Sequence, residues 1–158
     1  MDVKSVHTLP MADIALVLLQ AFQVVFLWIH DWIPLDGLND VPAVRSQDTR
    51  SRLVVVTLIQ SVPFTVGLLY SLLYFRQRHP HWLRNWLWIS YGLLFIGQLR
   101  AWWVPYLFRS EPERAARYRI MFGNTHSFLP QRNGLVPNTA HILLHLSTAA
   151  TLIVLFVS

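Results

Sequence analysis

Two histidines, His141 and His145, lie four residues apart in the last apolar segment of the chain. Residues at this spacing project from one face of an α-helix about one turn apart, so their rings can serve as two ligands of a metal ion or a haem. The residues from which we expect a third ligand are His30, His126, Asp31 and Asp40. In the simpler alternative, one histidine hydrogen-bonds to a neighbouring helix and the other lies near the lipid head groups. No longer metalloenzyme pattern such as His-Glu-x-x-His accompanies the pair.

The same kinds of side chain can transfer protons without a metal. His30 and Asp31 are adjacent at the end of the first apolar segment, and His126 lies in the long connection before the last one. An imidazole titrates near neutral pH, which suits general acid–base catalysis. Neighbouring residues on a helix do not face each other, so we expect the partner of Asp31 to be a histidine or arginine from another helix. We predict His30, Asp31 and His126 as catalytic residues.

A second group of residues can hold a substrate. Arg100 and Arg132 can bind a phosphate or carboxylate, because a guanidinium donates two parallel hydrogen bonds to such a group. Trp102 and Trp103 can form the wall of a pocket for a flat apolar ligand, and Asn138 begins the segment that carries the histidine pair. The alternatives are that Arg100 extends towards the membrane surface and that the tryptophans belong to an interfacial aromatic belt.

These residues must be positioned by membrane helices. Hydrophobic residues make up 54% of the 158 residues and charged residues only 13%, about half the charged share of soluble domains. The sequence predicts one all-α domain over residues 1–158, an integral membrane bundle of four transmembrane helices. The predicted spans are residues 13–33, 53–75, 86–108 and 138–157. A short amphipathic helix lying on the membrane is expected in the third loop, at 111–121.

The candidate residues converge at one end of this predicted bundle. Since successive helices alternate in direction, the ends of the first and third spans and the beginning of the fourth lie on one side, together with loop 1 (34–52) and loop 3 (109–136). Ionisable residues within membrane helices are costly and by default indicate a functional site. The sequence therefore predicts a polar site of histidine, aspartate and arginine at the face formed by loops 1 and 3.

The distribution of basic residues predicts the orientation. Of the 13 Lys and Arg residues, nine lie on the side of loops 1 and 3 and four on the other side. The positive-inside rule places loops 1 and 3 in the cytoplasm and both termini outside. The net charge of +5 is then explained by anionic lipid head groups, and we expect no nucleic-acid partner. The chain has no cysteine, which excludes thiolate chemistry.

The sequence favours a membrane-embedded enzyme or cofactor-binding protein that acts on a lipidic or amphipathic small molecule. One alternative is a non-catalytic accessory subunit of a larger membrane complex, in which partner helices cover the polar faces. Another is a small ligand-binding or transport protein, which four helices would form as a homo-oligomer. Membrane lipids are expected partners in each case.

Overall fold

The computed structural model describes residues 5–157, with side chains from residue 11 onward. Over these residues seven α-helices follow one another: α1 (Ser5–Ile29), α2 (Val41–Gln47), α3 (Arg50–Leu73), α4 (His81–Gln98), α5 (Val104–Leu107), α6 (Pro112–Phe122) and α7 (Thr139–Val157). A π-helical segment, Leu99–Trp103, joins α4 to α5. Within the described range the only strand-like pairing is one isolated bridge between Arg132 and Leu135. The prediction of an all-helical protein is confirmed.

Three helices are long and apolar enough to cross a membrane: Met11–Ile29, Arg50–Leu73 and Thr139–Val157. They correspond to the first, second and fourth predicted spans, so the membrane-protein prediction is supported. The first span ends at Ile29 instead of residue 33, because the chain turns there. Asn39 stabilises this turn by donating from Nδ2 to the carbonyl oxygens of His30 (2.5 Å) and Ile33 (2.8 Å).

The third predicted span, 86–108, is not among these three helices. The chain is helical from residue 81 to 107, but α4 begins five residues earlier than predicted, with the polar residues His81, Arg84 and Asn85, and ends at Gln98. These polar residues lower the mean hydropathy of α4. The π segment with Arg100 interrupts the regular helix after Gln98. Among the described residues three of the four predicted spans are thus long and apolar enough to cross a membrane, and the predicted bundle of four transmembrane helices is not confirmed.

The long helices bury polar side chains between them and expose apolar ones. Hydrogen bonds join Gln23 of α1 to Thr151 of α7 (2.8 Å) and Gln98 of α4 to Thr148 of α7 (3.0 Å). The large apolar side chains that are mostly exposed include Leu18, Ile59, Leu69, Leu93 and Ile153. A soluble protein would show the opposite distribution, whereas lipid favours apolar surfaces and leaves polar groups to pair internally.

The short helices form at the end of the long ones where loops 1 and 3 lie. Asp40 caps α2 by accepting a hydrogen bond at Oδ1 from the Ala43 N–H (3.0 Å). Helix α6 forms where the amphipathic helix was predicted. Its Arg117 contacts Asp48, between α2 and α3, at 2.6 Å. Lys4, which entered the orientation count, lies outside the described residues.

Two glycines provide a matched test of how α3 packs against α4. A Cβ atom on Gly67 of α3 would lie 3.0 Å from the Leu87 Cδ2 atom, whereas a Cβ on Gly92 of α4 would meet nothing within 4 Å. We expect Gly67→Leu to lower the free energy of unfolding by about 1–3 kcal/mol, because the larger side chain forces the helices apart. Gly92→Leu should be neutral or raise it by up to about 1 kcal/mol. Thermal or denaturant unfolding in detergent measures both, and equal effects would contradict this packing.

Candidate functional site

A cavity of about 680 Å³ lies at the end of the helices where loops 1 and 3 meet. It is bordered by the end of α1, the beginnings of α3 and α7, the π segment and α6. The residues that carry chemistry in its wall are His30, Asp31, Asp48, Arg52, Gln60, Arg100, Trp102, Glu111, Glu113, Arg114, Arg117, Tyr118 and His141. Five residues predicted from the sequence are thus brought together: His30, Asp31, Arg100, Trp102 and His141.

A second cavity of about 320 Å³ adjoins the first and lies deeper between α1, α4 and α7. The residues shared by the two walls are His30, Gln60, Gly97, Ala101, Trp102 and His141. The deeper wall adds leucines, including Leu27, Leu93 and Leu144, together with His145. We call the first the outer cavity and the second the inner cavity. One is charged and the other mainly apolar, and the two meet at His30 and His141.

Asp31 pairs with its neighbour His30, with the Oδ2 and Nε2 atoms 3.3 Å apart. This corrects the expectation that its partner would come from another helix. The rule that adjacent helical residues point apart does not apply here, because α1 ends at Ile29 and both residues lie in the turn after it. The His30 Nδ1 atom lies 3.0 Å from the Phe26 carbonyl oxygen, which only accepts, so Nδ1 carries a hydrogen.

This arrangement requires one further proton between the two side chains. With Nδ1 protonated, a neutral His30 would direct the Nε2 lone pair at the Asp31 carboxylate, and the two would repel each other. A pair that holds this proton is either imidazolium with carboxylate or imidazole with carboxylic acid, and both forms have zero net charge. Burial raises the pKa of Asp31 from its usual 3.8, with the Asp48 charge adding to the increase and His30 opposing it.

His141 also carries its hydrogen on Nδ1, and its Nε2 atom is left to accept a proton. The Asn138 Oδ1 atom accepts hydrogen bonds from the His141 backbone N–H (3.0 Å) and from Nδ1 (2.6 Å). Asn138 is itself fixed, because its Nδ2 donates to the Leu38 carbonyl oxygen at 3.2 Å. Nδ1 of a neutral His141 thus carries the hydrogen, and Nε2 keeps its lone pair. The ring packs 4.5 Å from the Trp102 ring and 5.9 Å from the His30 ring, measured between centroids.

His145 has the other tautomer, which bears on the metal hypothesis. The Trp103 indole N–H can only donate, and it lies 3.0 Å from the His145 Nδ1 atom. A neutral His145 therefore carries its hydrogen on Nε2 and has no lone pair to offer a metal. Among the described side chains no group of three His, Asp or Glu residues could hold a metal ion. Among these residues the predicted metal ion lacks a complete set of ligands. The predicted haem stays a prediction.

The π segment brings both tryptophans to the histidines of α7. Pro105 has no N–H, so the Ala101 carbonyl oxygen loses its partner in the next turn. The Tyr118 hydroxyl of α6 donates to that oxygen instead (3.2 Å), and the wider turn is stabilised from outside the helix. Such π turns occur frequently at functional sites. Burial raises the pKa of Tyr118, which keeps this donor protonated.

Most charges of the outer cavity are paired. Asp48, with a side chain only 9% exposed, contacts Arg117 at 2.6 Å and Arg52 at 3.1 Å. Arg114 lies 3.9 Å from Glu111 at the rim. The Arg100 guanidinium forms no hydrogen bond or ion pair with any described residue; its own carbonyl oxygen accepts from Arg114 at 3.4 Å.

The remaining predicted residues stand apart from the cavities. His126 is exposed, and its Nδ1 atom lies 2.7 Å from the Thr139 hydroxyl oxygen. Its backbone N–H donates to the Gly37 oxygen (2.6 Å), and its carbonyl oxygen accepts from the Thr139 N–H (2.9 Å). Arg132 is exposed in the bridged turn, and Asn138 is buried behind His141. The Trp103 indole N–H donates a hydrogen bond to the His145 Nδ1 atom. None of these four residues lines the outer or the inner cavity, and their predicted roles stay predictions.

Sequence reasoning missed several residues of the outer cavity, namely Asp48, Arg52, Gln60, Gly97, Arg117 and Tyr118. Gln60 had a detectable signal, since it is a polar residue within an apolar span. The pairing of Asp48 with Arg117 joins residues 69 positions apart, and no spacing pattern indicates it.

Comparison of the chain with protein-family models, with curated proteins and with solved structures yields no match. The function of the chain is therefore inferred from the geometry of its site.

The tautomers can be measured by ¹⁵N NMR of histidine-labelled protein. We expect neutral His141 to carry its hydrogen on Nδ1 and neutral His145 on Nε2, because their partners are an acceptor and a donor respectively. Trp103→Phe removes the indole N–H donor and should abolish the tautomer preference of His145 without changing that of His141. Identical tautomers for the two residues, or an unchanged His145 spectrum in the variant, would contradict the hydrogen bonding described here.

Proposed function

We propose that this protein is a membrane-embedded enzyme that acts on an amphipathic small molecule by proton transfer. The observation that carries the proposal is that two adjoining cavities, one charged and one mainly apolar, share His30 and His141 in their walls. A molecule with a polar head and an apolar body fits such a space, with the head among charged groups and the body among leucines. His30 and His141 then lie beside the bond that joins the polar head to the apolar body of that molecule.

The two histidines are suited to opposite roles. The Nε2 lone pair of His141 accepts a proton, and Asn138 keeps that atom available by binding Nδ1. The His30–Asp31 pair holds an exchangeable proton and can return it. A base and an acid in one cavity are the requirement for general acid–base catalysis. The proposal needs no metal ion or haem.

We further propose that all four predicted segments cross the membrane, with loops 1 and 3 in the cytoplasm. Support for a crossing by the third predicted span comes from the consecutive helical segments over 81–107. At 1.5 Å per residue they are together about 40 Å long. Trp82 and Trp86 lie near one end of this path and Trp103 near the other, as in interfacial aromatic belts. The excess of arginine in loops 1 and 3 supports the orientation.

Histidine variants test the proposed chemistry. We expect His141→Ala and His30→Ala to lower turnover by about 10²- to 10⁴-fold, the usual contribution of a general acid or base. His126→Ala is the matched control, because that ring is exposed and lies outside both cavities. Since the substrate is unidentified, the measurement is the lipid and metabolite profile of cells producing each protein. A compound consumed with the wild type and the control should persist with the other two.

The profiles are compared only for protein that inserts and remains monodisperse. If both cavity variants fold and the profile is as in the wild type, proton transfer by these histidines is wrong. If they only aggregate, the histidines are structural, and the proposal fails as well.

Single cysteines test the membrane arrangement, because the natural chain has none to interfere. Ser46→Cys, Asn124→Cys and Arg78→Cys place thiols at exposed positions in loop 1, loop 3 and the connection between α3 and α4. With four crossings, a membrane-impermeant maleimide added to intact cells should label position 78 alone. With three crossings, positions 46 and 124 would lie on opposite sides, and labelling at one of them would reject the arrangement.

A further inference from the structure

We infer that the ligand of the outer cavity is an amphiphile with an anionic head group, phosphate or carboxylate, which Arg100 binds and which enters from the bilayer between α3 and α4. The inference rests on the proposed function, since it names the substrate class of the same site.

The charges in the cavity leave one cation unmatched. The His30–Asp31 pair has zero net charge when it holds its shared proton. The other charged residues in the wall are four arginines (Arg52, Arg100, Arg114 and Arg117) and three carboxylates (Asp48, Glu111 and Glu113). A site with this excess of positive charge attracts an anion and disfavours a cation.

Arg100 is the arginine available to bind that anion. Asp48 contacts Arg52 and Arg117, and Glu111 lies near Arg114, whereas the Arg100 guanidinium has no partner among the described residues. Its backbone is held in the π segment, close to Trp102 and within the cavity wall. A guanidinium placed in this way can bind a phosphate or carboxylate through two parallel hydrogen bonds.

The cavities are also open towards lipid. Gln60 lies ten residues into α3, about 15 Å from the beginning of the helix, and borders both cavities. Opposite it, Gly97 is exposed, and a Cβ atom there would meet nothing within 4 Å. Leu93, one turn earlier on α4, is 66% exposed. Residues that line the inner cavity are thus exposed on the outer surface of α4, beside α3.

The open space at Gly97 explains how the apolar chain and the head group of an amphiphile enter together. A molecule dissolved in the bilayer can slide between α3 and α4 with its apolar chain in the inner cavity, while its head moves along the outer cavity to Arg100. A free anion arriving from water would need only the outer cavity. Lateral entry therefore distinguishes a lipid-borne head group from a dissolved one.

Binding of three probes to the purified protein in phosphatidylcholine nanodiscs tests the inference. The probes are dodecyl phosphate, dodecyltrimethylammonium and inorganic phosphate, and the measurement is the saturable shift of the thermal unfolding midpoint. We expect dodecyl phosphate to bind the wild type at least tenfold more tightly than the other two. Arg100→Gln should weaken its binding at least tenfold, whereas Arg109→Gln, which removes an equal charge outside both cavities, should leave it unchanged.

Gly97→Leu fills the open space at that position and should abolish binding of dodecyl phosphate, whereas Gly92→Leu, on the same helix but outside both cavities, should not. If Arg100→Gln binds like the wild type while Gly97→Leu does not bind, the anion site is wrong but the cavity and the proposed function stand. Equal binding of inorganic phosphate and dodecyl phosphate would overturn lateral entry. If Gly97→Leu and Gly92→Leu bind alike, the ligand does not occupy the cavities, and the proposed function falls with the inference.

Discussion

The cost of an unpaired polar group in hydrocarbon constrains this whole molecule. Every backbone N–H and C=O within the membrane must find a partner, and so must most polar side chains. The long helices largely meet the first requirement, and bonds such as Gln23 to Thr151 and Gln98 to Thr148 meet part of the second. Among the described residues the buried side chains of Gln20, Ser61 and Ser71 and the Tyr91 hydroxyl have no hydrogen-bond partner. Pro105 has no N–H to offer the Ala101 carbonyl oxygen, and Tyr118 of α6 donates to that oxygen instead. The candidate site has formed where this contact occurs, and α6 thereby becomes part of its wall.

The same matching of donors and acceptors distinguishes the three buried histidines. A carbonyl oxygen at His30 and an amide oxygen at His141 each hold a hydrogen on Nδ1, whereas the Trp103 indole N–H holds the hydrogen of His145 on Nε2. His141 is left as an acceptor, His145 as a donor, and His30 shares a proton with Asp31. Chemical function in such a site is determined less by the identity of the residues than by the group that each ring meets on its other side.

Much of the fold could be predicted from the sequence, and part of the site. Uniform apolar segments gave the positions of α1, α3 and α7, because a long apolar helix is recognisable from local composition alone. The third span was harder, since His81, Arg84 and Asn85 belong to its helix and the π segment comes directly after it. The convergence of His30, Asp31, Arg100, Trp102 and His141 followed from the alternating direction of the helices. The contact of His30 with Asp31 did not, because it depends on where α1 ends. The ion pair between Arg117 and Asp48 could not be predicted either, because it depends on how α6 folds back.

The bonds at His126 have a consequence for the modular structure of the chain. Through its backbone this residue joins loop 1, at Gly37, to the beginning of α7, at Thr139, whereas the connection between α3 and α4 contributes nothing to either cavity. One wall of the outer cavity, with His30, Asp31, Asp48 and Arg52, comes from the first half of the polypeptide, and the wall with Arg100 and His141 comes from the second. The site is therefore an internal interface between two helical hairpins. Length changes between α3 and α4 leave it intact, whereas a change in loop 1 has to be matched by one in loop 3.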